Sequence, residues 1–499
     1  MFAVVPLKFF KNGGRSMSNF HSTLSRREFM KGLGLAGAGL GAVAAVAPQF
    51  QDLDEATGSE KAGWKRAWWV KSVDEPSNPI DWSLMQRLDQ RQVNDWMPGG
   101  KFNDSPEMKA IRENNTEYVE KWSTERFYPE YKGTSTRDNA MNLVAGVSTS
   151  IYSTGYTTPF DGIQIVKTPE QLGIPKWEGT PEENLKTLRA AFRTFGAADV
   201  ACIEITPEKT RKIIFSYQQQ CAERPYPYKV ARNKRYDFEN IDQAYYTDEK
   251  MVIPEKCRYL IVWTTLMPPE LTLREGVPLG KSSTSLAYAR SQTINTNVME
   301  FIRALGYQTL SAFRATMTPA APRGILSGIG EHNRMCLPTM SPEYGMFIRT
   351  VNGILTDMPI ETTKPIDAGM YRFCEKCGIC SVSCPYGALP QGDPSWDTEF
   401  TGRNPDHHIF NGNTPGYEGY RMYVSLCTKC GVCQGNCPFN TINQSWVHSL
   451  VKATTSTTSL FNSFFHSMQN NMGYGIKNPA EWWDLKEHWS WGYPPNFVG

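Results

Sequence analysis

A chain of 499 residues has room for two or three domains and a large core. Its 52 basic and 50 acidic side chains leave a formal charge of +2, which excludes any global attraction to nucleic acid or to acidic lipid. The 33 Pro and 40 Gly point to much loop joining short elements, and the 12% aromatic content, with 14 Trp, supplies residues that fill cores and line apolar pockets.

The N-terminus reads as an address. Ser25-Arg26-Arg27-Glu28-Phe29-Met30-Lys31 is a twin-arginine signal, followed from Gly32 to Ala47 by a Gly/Ala-rich stretch too short and too weakly apolar to span a membrane. Ala42, Ala44, Ala45 and Ala47 offer small residues for cleavage, and Pro48 moves the expected cut a few residues back. Met17 is an alternative start. The twin-arginine route carries folded proteins, so the address predicts a cofactor inserted before export. Beyond Ala47 no run of 18 apolar residues follows, so the mature chain is expected to have no spanning helix of its own.

Residues 48–135 are polar and rich in Trp and Pro, with a short helix expected over Ala110–Trp122. Residues 136–165 carry Gly and Thr clusters that read as turns. Pro181 opens a helix through Leu185, Leu188 and Phe192 that ends near Gly196. Asp199–Ile205 and Lys256–Met267 read as strands, Ser285–Leu305 as a helix stopped by Gly306, and Tyr307–Ala312 as a further strand. Helices alternating with strands predict an α/β or α+β core across about 180–360. Residues 385–426 form a Gly/Pro/Asp-rich insertion, and the tail, with Trp482, Trp483 and Trp489, is expected to pack back on the body.

Eight of the 12 cysteines fall between Cys374 and Cys437; Cys202, Cys221, Cys257 and Cys336 are scattered and read as buried small hydrophobes. Cys374, Cys377, Cys380 and Cys384-Pro385 form C-x2-C-x2-C-x3-C-P, and Cys427, Cys430, Cys433 and Cys437-Pro438 repeat it. Two residues between thiolates let a tight loop wrap one corner of a cubane with backbone N–H groups facing sulfur, and the proline turns the chain away. In two-cluster ferredoxins the fourth Cys of each run serves the other cluster. One [4Fe–4S] cluster is therefore assigned to Cys374, Cys377, Cys380 and Cys437, and the other to Cys427, Cys430, Cys433 and Cys384. Zinc sites usually take two C-x2-C pairs rather than four thiols in one run, and disulfides between such close neighbours would be strained. The runs establish electron transfer without saying where the electrons go.

A bare two-cluster carrier needs far fewer residues than the roughly 300 that precede these runs. Gly324–Pro359 stands out: glycines at 324, 328, 330, 345 and 353 are read as letting backbone approach a large flat ligand. Ser327-Gly328-Ile329-Gly330-Glu331, Ser341-Pro342-Glu343-Tyr344-Gly345 and Thr356-Asp357-Met358-Pro359, behind a twin-arginine signal and ahead of two ferredoxin runs, resemble a respiratory reductive dehalogenase over nearly the whole chain. The unit Phe301–Tyr307 and the Trp-rich end also fit.

The resemblance implies an α+β protein: a nitroreductase-like α/β core holding a corrinoid, followed by a C-terminal bacterial ferredoxin-like domain with two clusters. Its expected parts are the signal region (1–47), a Trp/Pro-rich segment (48–170), the corrinoid and substrate core (171–365) and the cluster domain with its tail (366–499). It implies a cobalamin-type corrinoid bound base-off, with Ser327, Gly328, Gly330, Glu331, Ser341, Pro342, Tyr344 and Gly345 as its contacts. The chain lacks a D-x-H-x-x-G motif to give cobalt a histidine; His332 is read as a hydrogen-bonding or surface residue, and His407 and His408 also lack the pattern. A carbon–halogen bond of an organohalide would be cleaved by two electrons and one proton, as the last step of an anaerobic organohalide respiration. The family takes the proton from a Tyr beside a cation; Tyr245 or Tyr246 matches that position, Tyr236 is the alternative, and Arg290, then Lys281, is the basic partner. A small integral membrane anchor protein and a membrane electron donor are the implied partners, on the outer face of the cytoplasmic membrane, with no nucleic acid. Two other readings share these features. An epoxyqueuosine-reductase-like corrinoid enzyme acts on tRNA, against which the export signal and the absent basic patch speak. A non-catalytic electron-transfer subunit would not need the long N-terminal part.

Overall fold

The computed structural model describes residues 66–89, 137–138, 141, 159–223, 229–313, 316–336, 339–398, 414–422, 427, 429–440, 446–460, 462–463 and 475–493. The signal region, the expected helix over 110–122 and most of the expected turns at 136–165 lie outside them, as do His407 and His408.

Strand β1 (Lys71–Ser72) opens the described chain and pairs antiparallel with β10 (Ile366–Asp367), tying the N-terminal segment to the start of the cysteine-bearing part. The four-residue helix α1 (Pro169–Leu172) precedes α2 (Pro181–Thr194). Helix α2 begins where the sequence places it because Thr180 and Glu183 form a capping box and Pro181 takes the first turn. Leu185, Leu188 and Phe192 share one face, buried with Val200, Ile261 and Trp263. Each contributes about 1.5–3 kcal/mol by leaving water.

The main sheet has the order β2-β7-β9-β8 and is antiparallel throughout. Strands β2 (Asp199–Glu204) and β7 (Tyr259–Leu266) fall on the two apolar runs expected to be strands, and β8 (Thr309–Ser311) on the third. β9 (Ile348–Thr356) lies inside the Gly-rich stretch and was not expected. A second sheet, β3-β4-β6-β5, is built from β3 (Tyr217–Glu223), β4 (Lys229–Glu239), β5 (Tyr245–Tyr246) and β6 (Lys250–Pro254), with β4 and β6 parallel.

After the short helix α3 (Pro269–Thr272), the long helix α4 (Pro278–Ala304) starts seven residues before the expected Ser285 and stops at Gly306, whose φ is +97°. The early start was hidden because the buried residues of its first turns include Gly280, Ser282 and Ser283, so no apolar stripe marks them. Gly280 is required there because a Cβ would strike the Arg274 carbonyl. Helix α5 (Ala320–Leu326) leads into the Gly-rich stretch. The cysteine-bearing part holds α6 (Met370–Cys377), α7 (Ile379–Ser383), α8 (Val432–Gly435) and α9 (Trp446–Thr457). The described residues all belong to one unit, with the core and the cysteine-bearing part packed together.

The tail does pack back: Trp483 donates from Nε1 to Asp138 at 2.6 Å, and Lys477 N–H donates to Leu273 O. Cys202, Cys257 and Cys336 are buried thiols, as expected of them; the Cys221 side chain is outside the described set. No helix of the described residues is long and apolar enough to cross a membrane.

Candidate redox and substrate site

The two cysteine runs fold as local turns that aim amides at sulfur. The N–H two residues on donates to the thiol at Cys377 (from Ile379), Cys427 (from Lys429), Cys430 (from Val432) and Cys437 (from Phe439). At Cys377, Cys427 and Cys430 the donor lies inside the x2 spacer, and at Cys437 it follows the proline. Gly378 and Gly431, directly after Cys377 and Cys430, sit at φ +64° and +79°, the left-handed conformation that begins α7 and α8. Cys374 is served differently: its sulfur accepts from the backbone N–H of Arg334, 40 positions earlier.

The runs interleave. Cys374, Cys377, Cys380 and Cys437 line one cavity, together with Arg334, Met340, Phe373 and Phe439. Cys427, Cys430 and Cys433 each lie in the field of Cys384. Burial pushes the thiols of Cys374 up to about 12 and of Cys377 and Cys430 up to about 11, so bound iron must displace their protons. Among the described residues no three His, Cys, Asp or Glu side chains converge on a single ion; Cys374, Cys377, Cys380 and Cys437 instead face one shared cavity.

The Gly-rich stretch is the wall between this cavity and the core. Met340 Sδ lies 3.7 Å from Cys437 Sγ. Glu331 is buried; Ser77 Oγ donates to one carboxylate oxygen and Met370 N–H to the other at 2.8 Å, and burial raises the carboxyl to about 7. Ser341 and Gly345 exchange backbone hydrogen bonds of 3.0 and 2.8 Å. Pro342 O accepts from Lys452 Nζ at 2.8 Å, and Ser327 O accepts from Thr363 Oγ1 at 2.7 Å. Tyr344 is largely buried and its phenol is held up near 12 by desolvation.

The glycines serve a different approach from the one the sequence suggested. A Cβ at Gly328, Gly330 or Gly345 would strike the carbonyls of Lys364, Met340 or Phe439. It is protein backbone, not a ligand, that fills the space these glycines leave in that direction.

His332 is buried and neutral, its pKa pushed down to about 3 by desolvation; its Nε2 accepts from Tyr420 N–H at 2.8 Å. Its ring is stacked on Tyr420. That nitrogen is therefore already engaged with protein.

The expected proton-donor pair is not assembled. Tyr245 is 40% exposed and donates to Glu239 at 3.2 Å. Tyr246 is half-buried, with the buried ammonium of Lys234 5.4 Å from its ring centroid. Both belong to the edge strand of the second sheet. Arg290 instead lies 4.7 Å over the ring of Tyr493, in the tail. Tyr236 is buried and donates to Gln218 and to Thr316 O. Arg334 and Lys452, both buried beside the thiols, were not singled out from sequence; nothing local marks them, because each reaches its partners across the fold.

The family described as reductive dehalogenase subunit matches residues 65–360, and that described as 4Fe-4S dicluster domain matches residues 373–441. A chloroethene reductive dehalogenase of Dehalococcoides mccartyi (strain VS) is 33% identical over 94% of this chain and 98% of its own length. A trichloroethene reductive dehalogenase of another strain of that species is 30% identical over 93% of this chain and 97% of its own. Among solved structures, the N-terminally tagged catabolic reductive dehalogenase NpRdhA superposes with a TM-score of 0.52 at 17% identity over 82% of this chain. The match spans 50% of that structure's own chain, and the likeness shows a shared fold. Two thiol sets interleaved between the halves of a dicluster ferredoxin run, seated on a core that matches along its length, place the chain in the reductive dehalogenase family, as an oxidoreductase with two [4Fe–4S] clusters.

Proposed function

We propose that the chain reduces a small apolar chlorinated hydrocarbon of the chloroethene class, using two electrons and one proton to release chloride and leave a C–H bond. The observation that carries this is the seating of one thiol set directly under the buried Ser327–Gly345 stretch, with Met340 Sδ 3.7 Å from Cys437 Sγ, so that electrons arrive at the face of the core. The relatives named for chloroethene and trichloroethene support the substrate class. A solved neighbour titled for B12-dependent dehalogenation supports a corrinoid. A corrinoid held there would supply a low-valent metal centre as the two-electron reductant of the carbon–halogen bond.

This chain's residues do the rest. In Ser327, Gly328, Gly330, Glu331, Ser341, Pro342, Tyr344 and Gly345 the groups described above are already engaged with protein partners, so this stretch would back a corrinoid as a rigid support rather than grip it through these contacts. For the proton, a phenol beside a cation is wanted, because a cation stabilises the phenolate left behind. Each of the two tyrosines has a lysine over its ring, Lys234 at 5.4 Å from the Tyr246 centroid and Lys250 at 5.7 Å from the Tyr245 centroid, so both stay candidates for the donor. Arg290 then serves Tyr493 rather than either of these. The twin-arginine signal supports export of the loaded protein to the outer face of the cytoplasmic membrane, where a small integral anchor and a membrane electron donor would complete an anaerobic respiratory chain.

The test is a cofactor and activity assay on anaerobically purified mature protein. Roughly eight irons and one cobalt per chain, with chloride released from trichloroethene by a reduced dye, are expected. Full iron with no cobalt, from a host that supplies corrinoid, would remove the catalytic reading and leave an electron carrier.

A further inference from the structure

Arg334 is 2% exposed. Its Nε and Nη2 donate to Cys374 O at 3.2 and 2.8 Å, its Nη1 to Pro390 O and Gly392 O at 3.1 and 2.6 Å, and its Nη2 also to Glu375 O at 3.4 Å. The guanidinium carbon lies 4.5 Å from the ring centroid of Tyr420. Every one of these partners is neutral, and among the described residues no carboxylate joins them. A guanidinium stays charged in proteins, and burying one without an anion is costly.

The anion it lacks belongs next door. Arg334 lines the same cavity as Cys374, Cys377, Cys380 and Cys437, and its own backbone N–H donates to Cys374 Sγ. Four thiolates around a cubane carry net negative charge, and each one-electron reduction adds one more. A fixed cation held by rigid carbonyls stabilises the reduced state more than the oxidised one.

We propose that Arg334 is the counter-charge of the cluster held by Cys374, Cys377, Cys380 and Cys437, a positioning residue that raises this cluster's reduction potential and so favours the electron's stay beside the Ser327–Gly345 stretch. The inference rests on the two-cluster reading and needs neither corrinoid nor substrate.

The experiment is an EPR-monitored redox titration of the full chain, purified anaerobically, with dithionite as reductant and no organohalide present. In Arg334→Gln one of the two midpoints moves negative by about tenfold in its one-electron equilibrium, 59 mV, while the other stays. Arg334→Lys, which keeps the charge with fewer hydrogen bonds, stays near wild type. Two unmoved midpoints in a fully iron-loaded Arg334→Gln overturn the proposal, and so does an Arg334→Lys that shifts as far as Arg334→Gln. If Arg334→Gln loads one cluster short, Arg334→Met replaces it. Loss of that cluster in both neutral variants but not in Arg334→Lys supports the counter-charge; loss in all three shows that Arg334 only shapes the loop and overturns it. A protein that fails to dehalogenate leaves these potentials readable, so the two failures are distinguishable.

Discussion

Replacing Gly345 by alanine tests whether the Gly-rich stretch is the seat of the cluster domain. Gly345 sits at φ +61°, where any L side chain costs about 1–2 kcal/mol. Its Cβ would also land on the carbonyl of Phe439 and the nitrogen of Asn440, which are backbone atoms that cannot swing aside. Relief needs a movement of about 1 Å in that segment to restore ordinary contact. The movement acts at two places. Phe439 N–H is the donor to Cys437 Sγ, and Asn440 Oδ1 accepts from Met346 N–H at 2.8 Å. Leaving that buried amide unpaired costs about 1–3 kcal/mol more. The sum is about 2–5 kcal/mol, concentrated at one ligand of one cluster.

Gly173 supplies the control. It has nearly the same backbone angle, φ +67°, but open space where its Cβ would go, so Gly173→Ala incurs the conformational cost alone. Iron and acid-labile sulfide per chain, with the EPR of the reduced protein, read the difference. Gly173→Ala should load both clusters. Gly345→Ala should lose the cluster that uses Cys437 and keep the other, ending near half the iron. A Gly345→Ala protein that loads fully and unfolds together with Gly173→Ala would refute the reasoning, because the contact with Phe439 would then hold nothing in place.

Three further outcomes are expected. Cys437→Ser and Cys374→Ser should each remove the same EPR signal, and the double variant should lose no more iron than either alone; removal of two different signals would break the interleaved assignment. Glu331→Gln should flatten the pH dependence of stability: the folded carboxyl is raised to about 7 from an ordinary 4.5, so its contribution is full below pH 4.5 and is lost as pH rises through 7, and the amide variant should be the more stable of the two above pH 7 in denaturant titrations. Of Tyr245→Phe and Tyr246→Phe, the variant of the true proton donor should lower turnover by about 10²-fold or more with iron and cobalt unchanged; unchanged activity in both would move the donor elsewhere.

How much of this was legible in the sequence follows the range of the interaction. Helix α2 was readable because its cap, its proline and its apolar face lie within 15 residues of one another, and the cluster turns because their chemistry fixes the spacing locally. β3 and β4 were not, since Tyr-Gln-Gln-Gln and Lys-Val-Ala-Arg-Asn-Lys-Arg carry too few apolar residues to show a period of two. β9 hid behind Gly353, which invites a loop reading; in the sheet its missing Cβ makes room for Arg323, Ala312 and Leu260. The resemblance named the kinds of residue a proton donor needs but not their neighbours: Lys234 meets Tyr246 from another strand of the same sheet, and Arg290 meets Tyr493 from the far end of the chain.

The glycines of the Ser327–Gly345 stretch join these threads. Each of Gly328, Gly330 and Gly345 admits a backbone carbonyl, and the carbonyls come from three places: the segment leading to β10, the stretch itself, and the turn after Cys437. Glu331 adds a polar rivet between Ser77 and Met370, and Arg334 reaches from the same stretch to Cys374. Packing this close leaves little freedom for one part to move against the other. Electron transfer into a buried core benefits from a fixed distance. The same stretch that fixes the cluster in space also supplies, through Arg334, the charge that fixes its energy. Position and potential of the electron carrier are thus set by one short piece of backbone between the core and the cluster turns.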